Sequence, residues 1–522
     1  MQASRTINWG AWAVVAVGTC VLAWRALLAE RQTVDDVFIF LRYARNLATA
    51  GQYAFDLGTR VEGTSSVAWT GLLALTWGVG WRGLGAAKAL SLAAGLAIPA
   101  LCGVVVRRIV PERPWLLAAP AVALALDADL AGWLASGMDT PLWSLACVGC
   151  LLLANRPRIA AVALGSLAWV RPEGPLLAAA AVLALSRDGR SLLQLGALAA
   201  APIVFLTLLR LAYFGDVVPN TFWAKMHAVD GKDFSGIGYV GSALARRPLL
   251  LLVLPLATAL QHCGSPHVRV GLALLLATLA FALLAGGDWM PNRRLLVVAL
   301  PLAAVLASAG ISLLARPFAL ATSAALLMEA VLTTDHALDQ GWRDTEWLDE
   351  RVARWRPVSR PFAGPYALDW MPTHLLEQVA PYVGPRDVVA HVDVGELPYV
   401  MGDVAFLDGF GLVDRTAGKL TFHSDDPSLR AAARDAFFAS KPAVAIVVLD
   451  ETTGRPFAPA QDAALSDPRF AAGWRELARV PTWGEHPCVT YVRRDIAPVE
   501  PAVANARRRA WLSSVPDVSP AP

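Results

Sequence analysis

The sequence predicts a polytopic α-helical membrane protein with a C-terminal α/β soluble domain. Three observations predict it. Hydrophobic residues make up 56% of the 522 and charged residues only 17%, against about 25% charged in soluble chains. The apolar excess is uneven: residues 1–333 carry long apolar runs, while 334–522 read as an ordinary soluble chain. Arginines also cluster in alternate connections between the runs, as the positive-inside bias requires.

The first run, 9–29, follows Arg5. It is too long for a signal-peptide core and lacks a small-residue cleavage site, so it is read as a retained span. Ten further spans follow at 87–106, 115–135, 141–154, 159–170, 174–186, 191–211, 248–262, 268–285, 294–315 and 317–333. About 20 apolar residues cross a bilayer, so the short runs must extend into their flanks. Segment 67–81 decides the sidedness. If it lies in the interface, Arg107, Arg108, Arg113, Arg156, Arg158, Arg187, Arg190, Arg269 and Arg316 all face the cytoplasm; if it spans, all face out. The reading is therefore about 11 spans in a bacterial inner membrane, the N-terminus inside and the C-terminal domain extracytoplasmic. The domains are 1–333, with a long first loop over 30–86, then 334–496, then a disordered tail over 497–522, rich in Ala, Pro and Arg.

The net charge of +3 gives no footing for nucleic acid. The six cysteines are scattered. Cys147 and Cys150 form a C-x-x-C inside an apolar run with no second pair, and read as packing residues.

On this topology the unusual polar sequences share the outer side. They are Thr33–Asp36, Val61–Ser66, Ser136–Leu142, Arg171–Gly174, Gly215–Thr221 and Gly286–Arg294. They sit at span ends, which suggests a site at the membrane surface. A transporter would place acidic or basic groups in mid-span and repeat its halves; neither is read here.

Asp35 and Asp36 carry the chemistry. Neighbours on a helix lie about 100° apart, so one can face a pocket while the other supports it. A carboxylate there can take a proton from an attacking sugar hydroxyl, or bind a divalent cation, or simply cap the helix Val37–Leu47. Lys225, Arg171, Arg293 and Arg294 are outer cations suited to a lipid phosphate, or to snorkelling. Glu62, Asp139, Glu173, Asp216, Asp288 and Asn220 are placed to orient sugar hydroxyls or to pair with those cations. Trp69, Trp133, Trp143, Trp223 and Trp289 would stack on sugars or form an interfacial belt; the chain has 19 Trp, so the belt is the simpler reading.

In the soluble part, 387–393, 443–449 and 488–492 read as strands and 334–360 and 427–439 as helices, giving α/β or α+β. His391, Asp393 and Glu396 could form a metal trio, but alternate strand positions ending in a Gly loop explain them more cheaply, and no metal site is assigned.

Taken together, Asp35–Leu47 followed by Val61–Gly63 resembles the first extracytoplasmic loop of lipid-phosphate-dependent glycosyltransferases of the C superfamily (GT-C). The match is closest to the mycobacterial terminal β-(1→2)-arabinofuranosyltransferase family. Ser136–Leu142 resembles its S-G-L-E-T-P-L, with Met138 and Asp139 as departures. Arg171–Gly174, Gly215–Lys225, Gly286–Arg294, the D-x-G of Asp393–Gly395 and the D-x-x-G-L-x-D of Asp408–Asp414 also fit. The resemblance spans about 30–495. It implies juxtamembrane helices in the first loop and Asp35 or Asp36 at the reaction centre. It implies Lys225, Arg293, Arg294 and Arg171 on the donor phosphate, with Glu62, Asp139, Glu173, Asn220, Asp288 and Trp289 on substrate. The implied partners are membrane lipids, a polyprenyl-phosphate donor like decaprenyl-phospho-arabinofuranose, and an envelope glycan acceptor. No cofactor is assigned, and a divalent cation at the first-loop carboxylates stays open. The family forms a β linkage from a β donor, a net retention that a single in-line displacement does not give. Two other readings stay open: a GT-C transferase for another sugar such as mannose, and a non-enzymatic envelope or motility factor on the same scaffold.

Overall fold

The computed structural model describes residues 8–29, 33–226, 236–288, 290, 292–339, 366–367, 370–450, 453–481, 487–515 and 518–519. It divides into two compact units: Met1–Thr33, Lys88–Leu209 and Lys232–Asp344 form one, and Val34–Ala87, Arg210–Gly231 and Thr345–Pro522 the other.

The first unit is all helix. Each of the eleven apolar runs has a helical counterpart, but only five helices among the described residues are long and apolar enough to cross a bilayer alone: Trp9–Leu28, Gly83–Ile109, Gly189–Phe214, Pro266–Leu284 and Arg294–Ile311. Two more runs are bent pairs. Pro114–Ala125 and Ala128–Ala135 meet at 76°, and Gly236–Arg246 and Leu249–His262 at 99°. Asp127 caps the second half of the first pair through the Leu130 N–H at 2.9 Å, and the second breaks beside Pro248, which has no N–H to continue a ladder. Among the described residues, five helices thus pass by length and composition, or seven with the bent pairs, and other apolar runs form the shorter helices Thr140–Leu152, Gly174–Leu185 and Pro317–Val331. Cys147 and Cys150 are buried and unbridged.

The second unit joins the first loop to the C-terminal domain. Helix Asp36–Ala50 is its spine, ended by Gly51 in the left-handed region (φ 68°). Val67–Gly78 is a 12-residue helix that packs on that spine. At 1.5 Å per residue it is about 18 Å long, short of a bilayer core of about 30 Å.

The strands are β1 (Tyr366–Ala367), β2 (Val388–His391), β3 (Ala405–Asp408), β4 (Val444–Val448), β5 (Trp474–Pro481), β6 (Pro487–Arg493) and β7 (Val518–Ser519). β1 and β7 pair by themselves; the other five form one sheet in the order β3-β2-β4-β6-β5. β2 is parallel to both β3 and β4, while β6 runs antiparallel to β4 and β5. β2 and β4 read as continuous apolar runs because both faces are covered. One side of the sheet packs Phe437, Phe470 and Trp474 against Ala445, Val447 and Val489. β3 and β5 escape the sequence reading: β5 (Trp-Arg-Glu-Leu-Ala-Arg-Val-Pro) is an edge strand with polar residues interrupting its pattern. Of the 334–360 helix, residues to 339 belong to Arg316–Asp339, and the rest lies outside the described residues. The tail expected to be disordered instead forms helix Pro501–Ser513, opened by Pro at its first turn. Its Trp511 Nε1 donates to Asp403 Oδ1 at 2.7 Å and Arg507 Nη1 to Val383 O at 3.0 Å, so apolar and charged anchors hold a segment that composition alone marks as loose.

Candidate functional site

His391 of β2 lies opposite Asp408 of β3 in a parallel register. The chain therefore leaves both strands side by side, and the D-x-G and D-x-x-G-L-x-D loops emerge at one edge. Carboxyl ends of parallel strands are where open α/β sheets build their sites. Asp408 accepts N–H groups from Phe410 (2.9 Å) and Val413 (2.8 Å) and so shapes its own loop. Burial pushes its carboxyl up to about 7 against those backbone bonds.

Asn220, first residue of helix Asn220–Met226, reads this loop. Its Nδ2 donates to the carbonyls of Gly411 (2.7 Å), Asp414 (2.9 Å) and Leu412 (3.2 Å), and its own N–H donates to Glu62 O at 2.9 Å. Glu62 in turn accepts two parallel bonds from Arg210, at 2.8 and 2.9 Å, with both side chains buried. Tyr43 Oη donates to Val61 O (2.6 Å) and accepts from Gly63 N (2.8 Å), which fixes the Glu62 segment on the spine helix. Asn220 and Glu62 are thus framework residues rather than free ligands.

One turn beyond Asn220, Lys225 Nζ lies 3.0 Å from Asp36 Oδ2. Exposure separates this pair from its neighbours: the side chains are 34% and 15% exposed, whereas in the Arg210–Glu62 pair they are 9% and 2%. Asp36 opens the spine helix, a favourable place for an anion. Asp35 sits at the N-cap position but does not cap, having helical φ and ψ and no side-chain bond to its own helix. Its Oδ1 instead accepts from Glu396 N at 2.8 Å. Burial, then the Asp393 carboxylate, raises the Asp35 carboxyl well above the usual range. The two adjacent acids therefore differ: Asp35 is turned into protein, and Asp36 stands at a cation with an opening to solvent.

In the other unit the remaining candidates form buried charge clusters. Arg171 Nε lies 2.5 Å from Glu173 Oε1 and Nη1 3.3 Å from Asp139 Oδ1. Arg294 Nε is 2.7 Å from Asp288 Oδ2. Arg293, in a left-handed backbone conformation (φ 44°), donates to Ser242 Oγ at 3.4 Å and lies 3.7 Å from Asp129. Arg171 and Arg294 thus face carboxylates of their own chain. Trp289 lies outside the described residues. Trp69, Trp133 and Trp143 are at most 3% exposed, so they are core residues, not a belt facing lipid. Trp223 packs edge-on with Phe222 and Phe422.

Sequence reasoning missed several partners. Arg210, Asp127, Asp129 and Arg247 lie within or beside apolar runs, and each is buried. Arg247 bonds Asp127 at 3.0 Å and Asp129 at 2.8 Å. The reading that no ionisable group lies in mid-span is thereby corrected. Charge in an apolar run was itself the available signal. Among the described residues no three His, Cys, Asp or Glu gather as metal ligands. His391 instead accepts backbone N–H groups at Nδ1.

No protein-family model matches the sequence, and no curated protein does. Solved structures do match the fold, among them ArnT from Cupriavidus metallidurans bound to undecaprenyl phosphate and the same protein in the apo state. The TM-score is 0.52 for both, at 13% and 12% identity, covering 93% of this chain and 98% of ArnT. The chain therefore has an ArnT-like fold, mostly helical with several helices long and apolar enough to cross a membrane, and a small sheet domain at its C-terminus.

Proposed function

We propose that this protein transfers a sugar from a polyprenyl-phosphate donor to an acceptor hydroxyl at the outer surface of a bacterial inner membrane. The observation that carries this reading is the part-exposed pair, 3.0 Å apart, between Asp36 of the first loop and Lys225 of helix Asn220–Met226. Similarity to a structure that holds undecaprenyl phosphate supports a lipid-phosphate donor. The first-loop and D-x-x-G-L-x-D resemblances favour arabinofuranose as the sugar and an envelope glycan as the acceptor.

Lys225 is the donor phosphate's cation and Asp36 the catalytic carboxylate. The acceptor oxygen bonds to the anomeric carbon as its proton passes to Asp36. The bond from that carbon to the phosphate oxygen breaks, and its electron pair leaves on the phosphate, where Lys225 balances the charge. Asp35 supports the turn. Arg171, Arg293 and Arg294 are ordered by carboxylates and keep a secondary, charge-setting role towards the lipid. This displacement inverts the anomeric carbon.

The test offers purified protein a synthetic polyprenyl-phospho-arabinofuranose and an arabinan oligosaccharide, and reads pentose mass gain. Transfer that vanishes in Asp36→Asn supports the reading. Inverted product supports Asp36 as base, whereas retained product moves Asp36 to stabilising positive charge at the anomeric carbon. Transfer only from a mannosyl donor replaces the sugar, and no transfer from any polyprenyl-phosphate sugar defeats the enzyme assignment.

A further inference from the structure

The helix that carries Lys225, Asn220–Met226, has 7 residues, too few for a helix to be stable by itself. What holds it comes from the loop after β3. Asn220 Nδ2 donates to Gly411 O at 2.7 Å, Asp414 O at 2.9 Å and Leu412 O at 3.2 Å, partners 191 to 194 residues further along the chain. Three carbonyls can only accept, so they fix which end of the Asn220 amide faces them, and its two hydrogens are shared among them. The Asn220 N–H adds a fourth tie, to Glu62 O at 2.9 Å.

The receiving loop is itself fixed. Asp408 takes the N–H groups of Phe410 and Val413, and the Asp414 carboxylate caps helix Arg415–Phe422 through the Ala417 N–H at 2.8 Å. Thr421 Oγ1, on that helix, donates to Phe410 O at 2.8 Å. Two glycines let the pieces close on Asn220. Gly411 sits in the left-handed region (φ 93°), which side chains rarely adopt. A Cβ built on Gly418 would lie 2.6 Å from Gly411 O and 2.9 Å from Asn220 Nδ2, so one methyl group there would wedge the contact apart. Trp223 and Phe422 then pack edge-on at 5.3 Å, joining the two helices beyond the loop.

We infer that Asn220, Gly411 and Gly418 form a latch that positions Lys225 against Asp36. Asn220 is then a positioning residue that acts through Lys225, not a substrate ligand. The latch grips the first residue of the short helix, and Lys225 lies five residues on, so a shift at the amide is carried along the helix to the ammonium that meets Asp36 Oδ2 at 3.0 Å. The loop after β3 thereby sets the place of the cation. The inference rests on the proposed transferase reading for its kinetics, but not for the placement of Lys225.

Two measurements test it. The lysines of the chain are Lys88, Lys225, Lys232, Lys419 and Lys441, so reductive ¹³C-methylation of the purified full chain gives an NMR spectrum that substitution can assign. The Lys225 signal, identified by its loss in Lys225→Arg, should move when Asp36→Asn removes the neighbouring charge. It should move likewise in Asn220→Ala and in Gly418→Ala, while the signals of Lys88 and Lys441 hold. This needs no activity, so it survives failure of the transferase reading. A Lys225 signal at its wild-type position in both variants overturns the latch. In transfer assays, Asn220→Ala and Gly418→Ala should each lower kcat by about 100-fold, the penalty for a misplacement on the order of 1 Å. In a Lys225→Ala background each should cost less than about threefold, because the group they place is gone. Wild-type kcat in both single variants overturns the positioning role, and so does a further loss of about 100-fold on top of Lys225→Ala.

Discussion

Lys225 Nζ lies 3.0 Å from Asp36 Oδ2, in a pair more open to solvent than the Arg210–Glu62 pair beneath it. A buried pair stays closed because opening it strands a charge. A partly exposed pair exchanges partners at less cost, which suits the roles proposed for Lys225 towards a phosphate and for Asp36 towards a proton.

Asp36→Asn should lower kcat by about 10²–10⁴-fold, the range of a lost general base, with donor binding retained. Lys225→Ala should cost about 10²–10³-fold in kcat, and Lys225→Arg should restore part of it because the charge returns. Steady-state kinetics on both substrates check this; equal effects of Lys225→Ala and Lys225→Arg would show that charge is not its contribution.

Arg210 and Glu62 predict a stability effect. Glu62→Ala leaves a buried guanidinium unpaired and should cost about 3–5 kcal/mol, while the apolar double substitution Glu62→Leu with Arg210→Met should recover most of it. Thermal unfolding in detergent reads both.

Gly63 lies where a Cβ would meet Val413 Cγ1 at 2.5 Å and Tyr43 Oη at 2.8 Å. Gly63→Ala should lower stability by about 1–3 kcal/mol through overpacking. A variant that unfolds like the wild type would mean that this loop yields freely.

Asp408 is held up to about 7 by burial, against an unfolded value near 3.9. Between those values the folded chain binds the proton that the unfolded chain has lost, so stability falls as pH rises through the window, by on the order of 4 kcal/mol at most. Unfolding between pH 5 and 8 should show this slope, and Asp408→Asn should flatten it.

Sidedness is checked with Ser428→Cys and Arg187→Cys, each in a background lacking the exposed Cys20 and Cys263. An impermeant thiol reagent added to intact cells should label position 428 and spare 187. The reverse pattern would invert the topology.

Apolar run length and arginine bias in the sequence by themselves determined a multi-pass helical protein with a soluble C-terminal domain, because both signals are local and additive along the chain. The same holds for β2, β4 and β6, whose apolar runs announce burial. Residue chemistry also singled out Asp35 and Asp36, but not what each carboxylate meets. Only the tertiary structure decided that: Asp35 accepts the Glu396 N–H beside Gly395, from a loop 361 residues away, and Asp36 lies 3.0 Å from Lys225. Likewise Arg210, lost in an apolar run, becomes the partner of Glu62, and the first loop packs as one unit with the C-terminal domain. A buried charge takes its meaning from the one opposite charge that folding brings within about 3 Å, and no reading along a single chain supplies that pairing.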